Sequence, residues 1–158
     1  MSTRRKRNGQ ATWYEPRKEQ VVERAVLVGV HLSGRGPQDE PEWADLDELG
    51  RLAETAGAEV VATLEQRRER PDVRSLLGKG KAEQLKKLVS ASQANLVLFD
   101  NDLSPAQGRN LESMTGVRVL DRTELILDIF ARHARTRQSR LQVALAQHEY
   151  LLPRLARM

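Results

Sequence analysis

Cysteine is absent from all 158 residues. That excludes disulfides, zinc fingers, iron–sulfur clusters and thiol nucleophiles. Long apolar runs are absent too. None approaches the roughly 18 residues of a membrane span, and the mean hydropathy is −0.58. The basic N-terminus has no apolar stretch behind it, so it does not read as a secretory signal. These gaps lead to the expectation of a soluble protein of a reducing, cytoplasmic compartment.

Several catalytic signatures are missing as well. A P-loop requires Gly, four residues, then Gly-Lys-Ser/Thr, because backbone amides cradle phosphates while the hydroxyl holds magnesium. The two Gly-Lys pairs, Gly78-Lys79 and Gly80-Lys81, are followed by Gly80 and Ala82. Neither has a glycine five residues before its own. No Gly-x-Gly-x-x-Gly exists: Asp39 and Glu83 stand where the third glycine belongs. The chain is therefore not expected to hydrolyse GTP or ATP by a P-loop mechanism. His31, His133 and His148 lie far apart and show no metal-ligand spacing, so no metal site is expected. No Gly-x-Ser-x-Gly elbow occurs.

What is present is charge, unevenly spread. Residues 1–24 hold seven Lys/Arg against three Glu and carry +4; residues 25–130 carry −5; residues 131–158 hold six Arg against Glu149 and carry +5. A slightly acidic body with two basic ends suits a polyanion such as nucleic acid. Residues 1–20, which contain Arg4, Arg5, Lys6 and Arg7, are polar and unpatterned and read as a disordered basic arm.

The body alternates regularly. Ala25–Val30 is a continuous apolar run, as expected of a strand buried on both faces. Trp43, Leu46, Leu49, Leu52, Ala53 and Ala56 recur at helical spacing, ended by Gly57. A strand follows at Ala58–Leu64, then a helix over Lys81–Val89 and a strand at Ala94–Phe99. Ser104, Pro105 and Gln107 spell a capping box with proline at the first helical position. After Gly116 comes a short strand, Val117–Leu120, and Asp121 with Glu124 opens a further helix. Four strands separated by helices predict an α/β fold with a mostly parallel sheet. The expected division is the arm 1–20, an α/β domain over 21–137 and one long helix over 138–158.

Two binding candidates follow from the residues. Gly78-Lys79-Gly80-Lys81 opens a helix, where flexible glycines let amides converge on an anion while Lys79 and Lys81 add charge. The other is Arg132, Arg135, Arg137 and Arg140 at the junction of body and final helix, suited to phosphate contact. Asp100 and Asp102 follow a strand at its carboxyl end, but without a partner base they read as strand terminators. On the final helix Leu141, Leu145, His148, Leu152 and Leu155 form an apolar face, adjoined by Val143, Ala146 and Tyr150. Unmet burial there predicts fraying, fold-back or pairing with a second copy; pairing at high concentration is the preferred outcome.

The stretches Phe99–Glu112 (FDNDLSPAQGRNLE) and Gly116–Leu155 (GVRVLDRTELILDIFARHARTRQSRLQVALAQHEYLLPRL) resemble the N-terminal region of HflX-type GTPases. Glu23–Val30, Thr55–Val61 and Arg70–Leu85 match in the same order. The resemblance implies a protein that binds the large ribosomal subunit and its rRNA, and in bacteria splits ribosomes under heat or antibiotic stress. It further implies an α/β subdomain followed by two long antiparallel helices and a GTPase domain. The matched residues reach only the first of those helices, so the chain reads as an interrupted helical subdomain. GTP and magnesium are expected only in the GTPase domain. ATP binding, also implied for the family's N-terminal region, would fall to Gly78–Lys81 here. The alternative reading is a regulatory module that restrains its own GTPase domain and touches no RNA.

Overall fold

The structure is a computed structural model that describes residues 22–33, 43–133 and 136–155, with backbone alone at 132, 133 and 155. The arm with Arg4, Arg5, Lys6 and Arg7 lies outside the described residues. So do Arg135 and the side chain of Arg132.

Four strands, β1 (Arg24–Leu32), β2 (Glu59–Arg68), β3 (Leu96–Phe99) and β4 (Arg118–Asp121), form one sheet in the order β2-β1-β3-β4. All three pairings are parallel. Ala25–Val30 of β1 and all of β3 are buried on both faces, which is why those stretches contain no polar side chain; Arg24 and His31 stand at the half-buried ends of β1. Alternate residues feed two cores. Val26, Val28 and Val30 pack with Leu85 and Val89 of α2 (Lys79–Ser92) and Leu111 of α3 (Pro105–Thr115). Ala25 and Leu27 pack with Leu49 and Ala53 of α1 (Leu46–Thr55) and Leu125 and Ile129 of α4 (Arg122–His133). The fold is thus a sheet with two helices on each face, and α5 (Arg137–Leu155) is packed on α4.

Local signals explain most boundaries. The Ser104 hydroxyl accepts from Gln107 N–H at 3.1 Å, and the Gln107 side chain accepts from Ser104 N–H at 2.9 Å. Asp121 accepts from Glu124 N–H at 3.0 Å, but Glu124 turns to Arg154 instead of completing a reciprocal box. The helix expected to include Trp43 begins later, because Asp45 caps it by accepting from Glu48 N–H at 3.0 Å. Strand β2 continues four residues past Leu64. It is an edge strand, so Glu65, Gln66, Arg67 and Arg68 pair with β1 while their side chains reach solvent or helix ends. Gln93, in the left-handed region at φ +54°, ends α2 and delays β3 to Leu96. Gly29 is required by close approach: a Cβ there would sit 2.7 Å from Ala44 Cβ.

The segment between β2 and α2 is held, not loose. Asp72 accepts from Arg74 and Ser75 N–H, at 2.8 and 3.2 Å. From α3, Gln107 donates to Asp72 O at 2.8 Å and Asn110 to Arg74 O at 2.9 Å. Among the described residues no helix is long and apolar enough to cross a membrane.

Candidate nucleic-acid interface

A parallel sheet places the ends of β1, β3 and β4 together, where open α/β folds receive ligands. The acidic groups there are already engaged. Asp100 accepts from Asp45 N–H at 2.8 Å and pairs with Arg122 at 3.3 Å; Arg122 also reaches Glu48 at 2.7 Å. Asp102 accepts from the Thr123 hydroxyl at 2.9 Å. Asn101 clamps Val30, accepting from its N–H and donating to its carbonyl, both at 2.8 Å. These side chains tie β1, β3, α1 and α4 into one end of the sheet. Asp100 directly follows β3, as the strand-terminator reading has it, while Asp102 lies further on and is held by Thr123.

Asp121 is fully buried at the end of β4. Besides Glu124 N–H, it accepts from Leu103 N–H at 3.1 Å and from the Tyr150 hydroxyl. Arg154 stands 3.7 Å from Asp121 and 3.4 Å from Glu124, donates to Leu103 O at 2.6 Å and lies over the Tyr150 ring at 3.7 Å. Burial and the neighbouring Asp121 carboxylate both oppose a phenolate, so the Tyr150 hydroxyl is pushed well above the usual phenol range. This joint fastens the carboxyl-terminal half of α5 to the α/β body. The sequence had placed Tyr150 in an apolar strip and Arg154 among six basic groups of the polyanion-facing end. Arg154 instead faces inward, its side chain 10% exposed.

The remaining basic candidates divide. Arg137 and Arg140 are exposed in the first turn of α5, on the same side of the helix. Arg132 lies in α4, close in sequence to this junction. Gly78 is the buried N-cap of α2, and its N–H already donates to Gln66 at 2.8 Å. Lys79 and Gly80 are exposed and Lys81 is half-buried. Lys79 lines an open hollow of about 560 Å³ between α2 and α3, with Arg74, Ser75 and Asn110. The two basic clusters are thus separate: one begins α5, the other begins α2. Among the described residues no group of three His, Cys, Asp or Glu converges as a metal site.

Beyond Arg140, one exposed strip of α5 is apolar. Leu141, Leu145 and Leu152 are 62, 61 and 60% exposed, and His148 is exposed with them. Val143, Ala146 and Tyr150 are less exposed. Fold-back onto the body therefore accounts for the Tyr150 strip, while the leucine row stays open.

A family model described as GTP-binding GTPase N-terminal matches residues 43–131, more than half of the chain. Among curated proteins, the GTPase HflX of Caldanaerobacter subterraneus subsp. tengcongensis is 48% identical over 133 residues, which cover 84% of this chain and 30% of that one. The GTPase HflX of Escherichia coli (strain K12) is 45% identical over 135 residues, covering 85% and 30%. That of Alkalihalophilus pseudofirmus is 43% identical over 139 residues, covering 88% and 32%. The chain thus spans about a third of the length of these relatives. A crystal structure of a GTP-binding protein from the hyperthermophilic archaeon Sulfolobus solfataricus in complex with GDP shares the fold. Its TM-score is 0.61 at 24% identity, covering 85% of this chain and 39% of that one. The chain belongs to the family of GTP-binding GTPase N-terminal domains and corresponds to the N-terminal region of HflX GTPases.

Proposed function

We propose that this chain is the RNA-facing module of a ribosome-binding GTPase, with rRNA of the large subunit as its partner. The observation that carries this reading is the pair Arg137 and Arg140, exposed at the start of α5 beside a body of net charge −5. Arginine pairs bidentately with phosphate, and the positive end of the helix dipole points the same way. Arg132 and Arg135 would extend that contact, and the arm at Arg4–Arg7 would add to it. Hydrolysis of GTP, with its magnesium, belongs on this reading to residues outside this chain, and ATP is not needed for binding. The setting is the cytoplasm, where ribosomes are.

The test is retention of the chain on purified large subunits over a range of salt. Log affinity should fall linearly with log salt. Replacing Arg132, Arg135, Arg137 and Arg140 with Gln should lower the slope by about 1 per lost phosphate contact. Equal affinity and equal slope for parent and variant would defeat the reading. Purified chain should show no GTP turnover that follows its own elution peak.

A second reading rests on the open row Leu141, Leu145 and Leu152. Apolar rows of this kind mark contact with polypeptide, not phosphate. On that reading the module restrains a neighbouring GTPase domain, and in the isolated chain the same row pairs two copies. Binding to large subunits that is unchanged between low and high salt would favour it.

A further inference from the structure

The carboxyl end of edge strand β2 carries charge that the junction above does not use. Between Gln66 and Lys87 the chain has eight Lys/Arg against three Asp/Glu, within a body that is acidic as a whole. Register sets Arg67 opposite His31 and Arg68 opposite Leu32. Successive side chains of a strand leave on opposite faces, so the two guanidinium groups straddle the end of the sheet. On the α1 face, Arg67 lies over the Trp43 indole, 5.8 Å from its centroid. The His31 ring is 5.7 Å from the same indole, fixed by accepting from Ala44 N–H at 3.3 Å. On the α2 face, the Arg68 guanidinium fills the space that a Cβ would take at Gly78. Its Nε donates to Arg70 O at 3.0 Å. Arg74 and Lys79 continue the track along the hollow between α2 and α3, on the segment that α3 holds in place.

Trp43 is 63% exposed. A single exposed aromatic needs no explanation by itself. Here the indole is oriented by His31 and Arg67 at one end of a row of guanidinium groups. A flat open ring beside a basic track is the arrangement that binds unpaired bases and their phosphates. An acidic peptide would use the charge and leave the ring idle. A duplex would present phosphates but hide the faces of its bases.

We propose that this edge is a binding site for single-stranded RNA, separate from the α4–α5 junction. One base stacks on Trp43, and the adjoining phosphates cross the end of β2 between Arg67 and Arg68 toward Arg74 and Lys79. Glu65, 3.7 Å from His31, the exposed Glu69, and Asp72 and Glu83 in the lining of the hollow stand along the same track and oppose the phosphates. They keep the site dependent on the stacked base as well as on charge. Only the choice of RNA over DNA rests on the ribosome reading above.

The test uses the whole chain with Trp13→Phe, which leaves Trp43 as its one tryptophan. Its fluorescence is titrated with single-stranded oligoadenylate, with an RNA duplex of equal length and with adenosine monophosphate. The single strand should quench the indole well below the concentrations at which the duplex or the mononucleotide does. In fluorescence anisotropy of labelled oligoadenylate, Trp43→Ala should weaken binding about five- to hundredfold while Trp43→Phe restores most of it. Arg67→Gln with Arg68→Gln should lower the salt slope by about 0.7 for each lost contact. Absence of quenching, equal quenching by duplex or mononucleotide, or unchanged affinity of Trp43→Ala would overturn the proposal. The signal comes from Trp43 and not from retention on subunits, so failure here and failure of the junction reading are separate results.

Discussion

Replacing Tyr150 by Phe removes one oxygen and tests the joint between α5 and the sheet. The hydroxyl donates to Asp121, which is fully buried and also serves the N–H groups of Leu103 and Glu124. A hydrogen bond to a charged group contributes about 1.5–3 kcal/mol. Asp121 keeps its other donors in the variant, and Arg154 stays near, so the expected loss is about 2 kcal/mol. For a chain of this size that lowers Tm by about 4–8 °C. Asp121→Ala should cost more, about 3–5 kcal/mol, because it leaves Arg154, the hydroxyl and two amides without their shared acceptor. The double variant should be no less stable than Asp121→Ala, since the hydroxyl has then already lost its partner. That gives a coupling energy of about 2 kcal/mol. Thermal unfolding followed by far-UV circular dichroism measures all four chains. A Tm for Tyr150→Phe within about 1 °C of the parent, or additive losses in the double variant, would refute the reasoning.

Because the folded chain holds the Tyr150 proton above the pH, about 10, at which an unfolded tyrosine releases it, the stability that this hydroxyl contributes should be fully present below about pH 10 and fall as pH rises beyond it. Tyr150→Phe should flatten that alkaline decline, and parallel Tm profiles for the two chains would contradict it. Gly29→Ala should destabilise by about 1–3 kcal/mol, because its Cβ meets Ala44 Cβ and the Leu46 side chain under α1; unchanged urea unfolding would show that α1 shifts freely. Light scattering at high protein and high salt should detect a dimer that Leu145→Glu abolishes, and a monomer under those conditions would exclude pairing through the leucine row.

The parts of the fold that were legible in the sequence are those set by neighbours along the chain. The run Ala25–Val30 reads as a doubly buried strand and is one, and Ser104-Pro105 with Gln107 marks the start of α3 within a residue. The extent of β2 was less legible. Its last residues are charged, and only their pairing with β1 at the sheet edge makes them a strand. Trp43 fits a helical repeat, yet Asp45 takes the cap and leaves the indole outside. The role of Arg154 could not be read at all. An arginine near the end of a basic helix looks like any other until Asp121 is brought to it from 33 residues away. For the candidate site, the exposure of Arg137 and Arg140 agrees with their pattern in the sequence. The track from Trp43 to Lys79 depends on which residues the sheet register sets side by side.

The contact between Asp121 and Tyr150 also decides how the molecule bears a load. Chain leaves the sheet at Asp121 along α4, and α5 brings it back to the same residue 29 positions later. Helix α5 is about 28 Å long, but tension applied at its carboxyl-terminal end does not travel that length. It passes through Tyr150 and Arg154 directly into β4 and the Leu103 carbonyl. The strap formed by α4 and α5 is bypassed. Pulled from that end, the domain should resist until the joint shears and then release α5, while α4 stays held by Leu125 and Ile129 in the core.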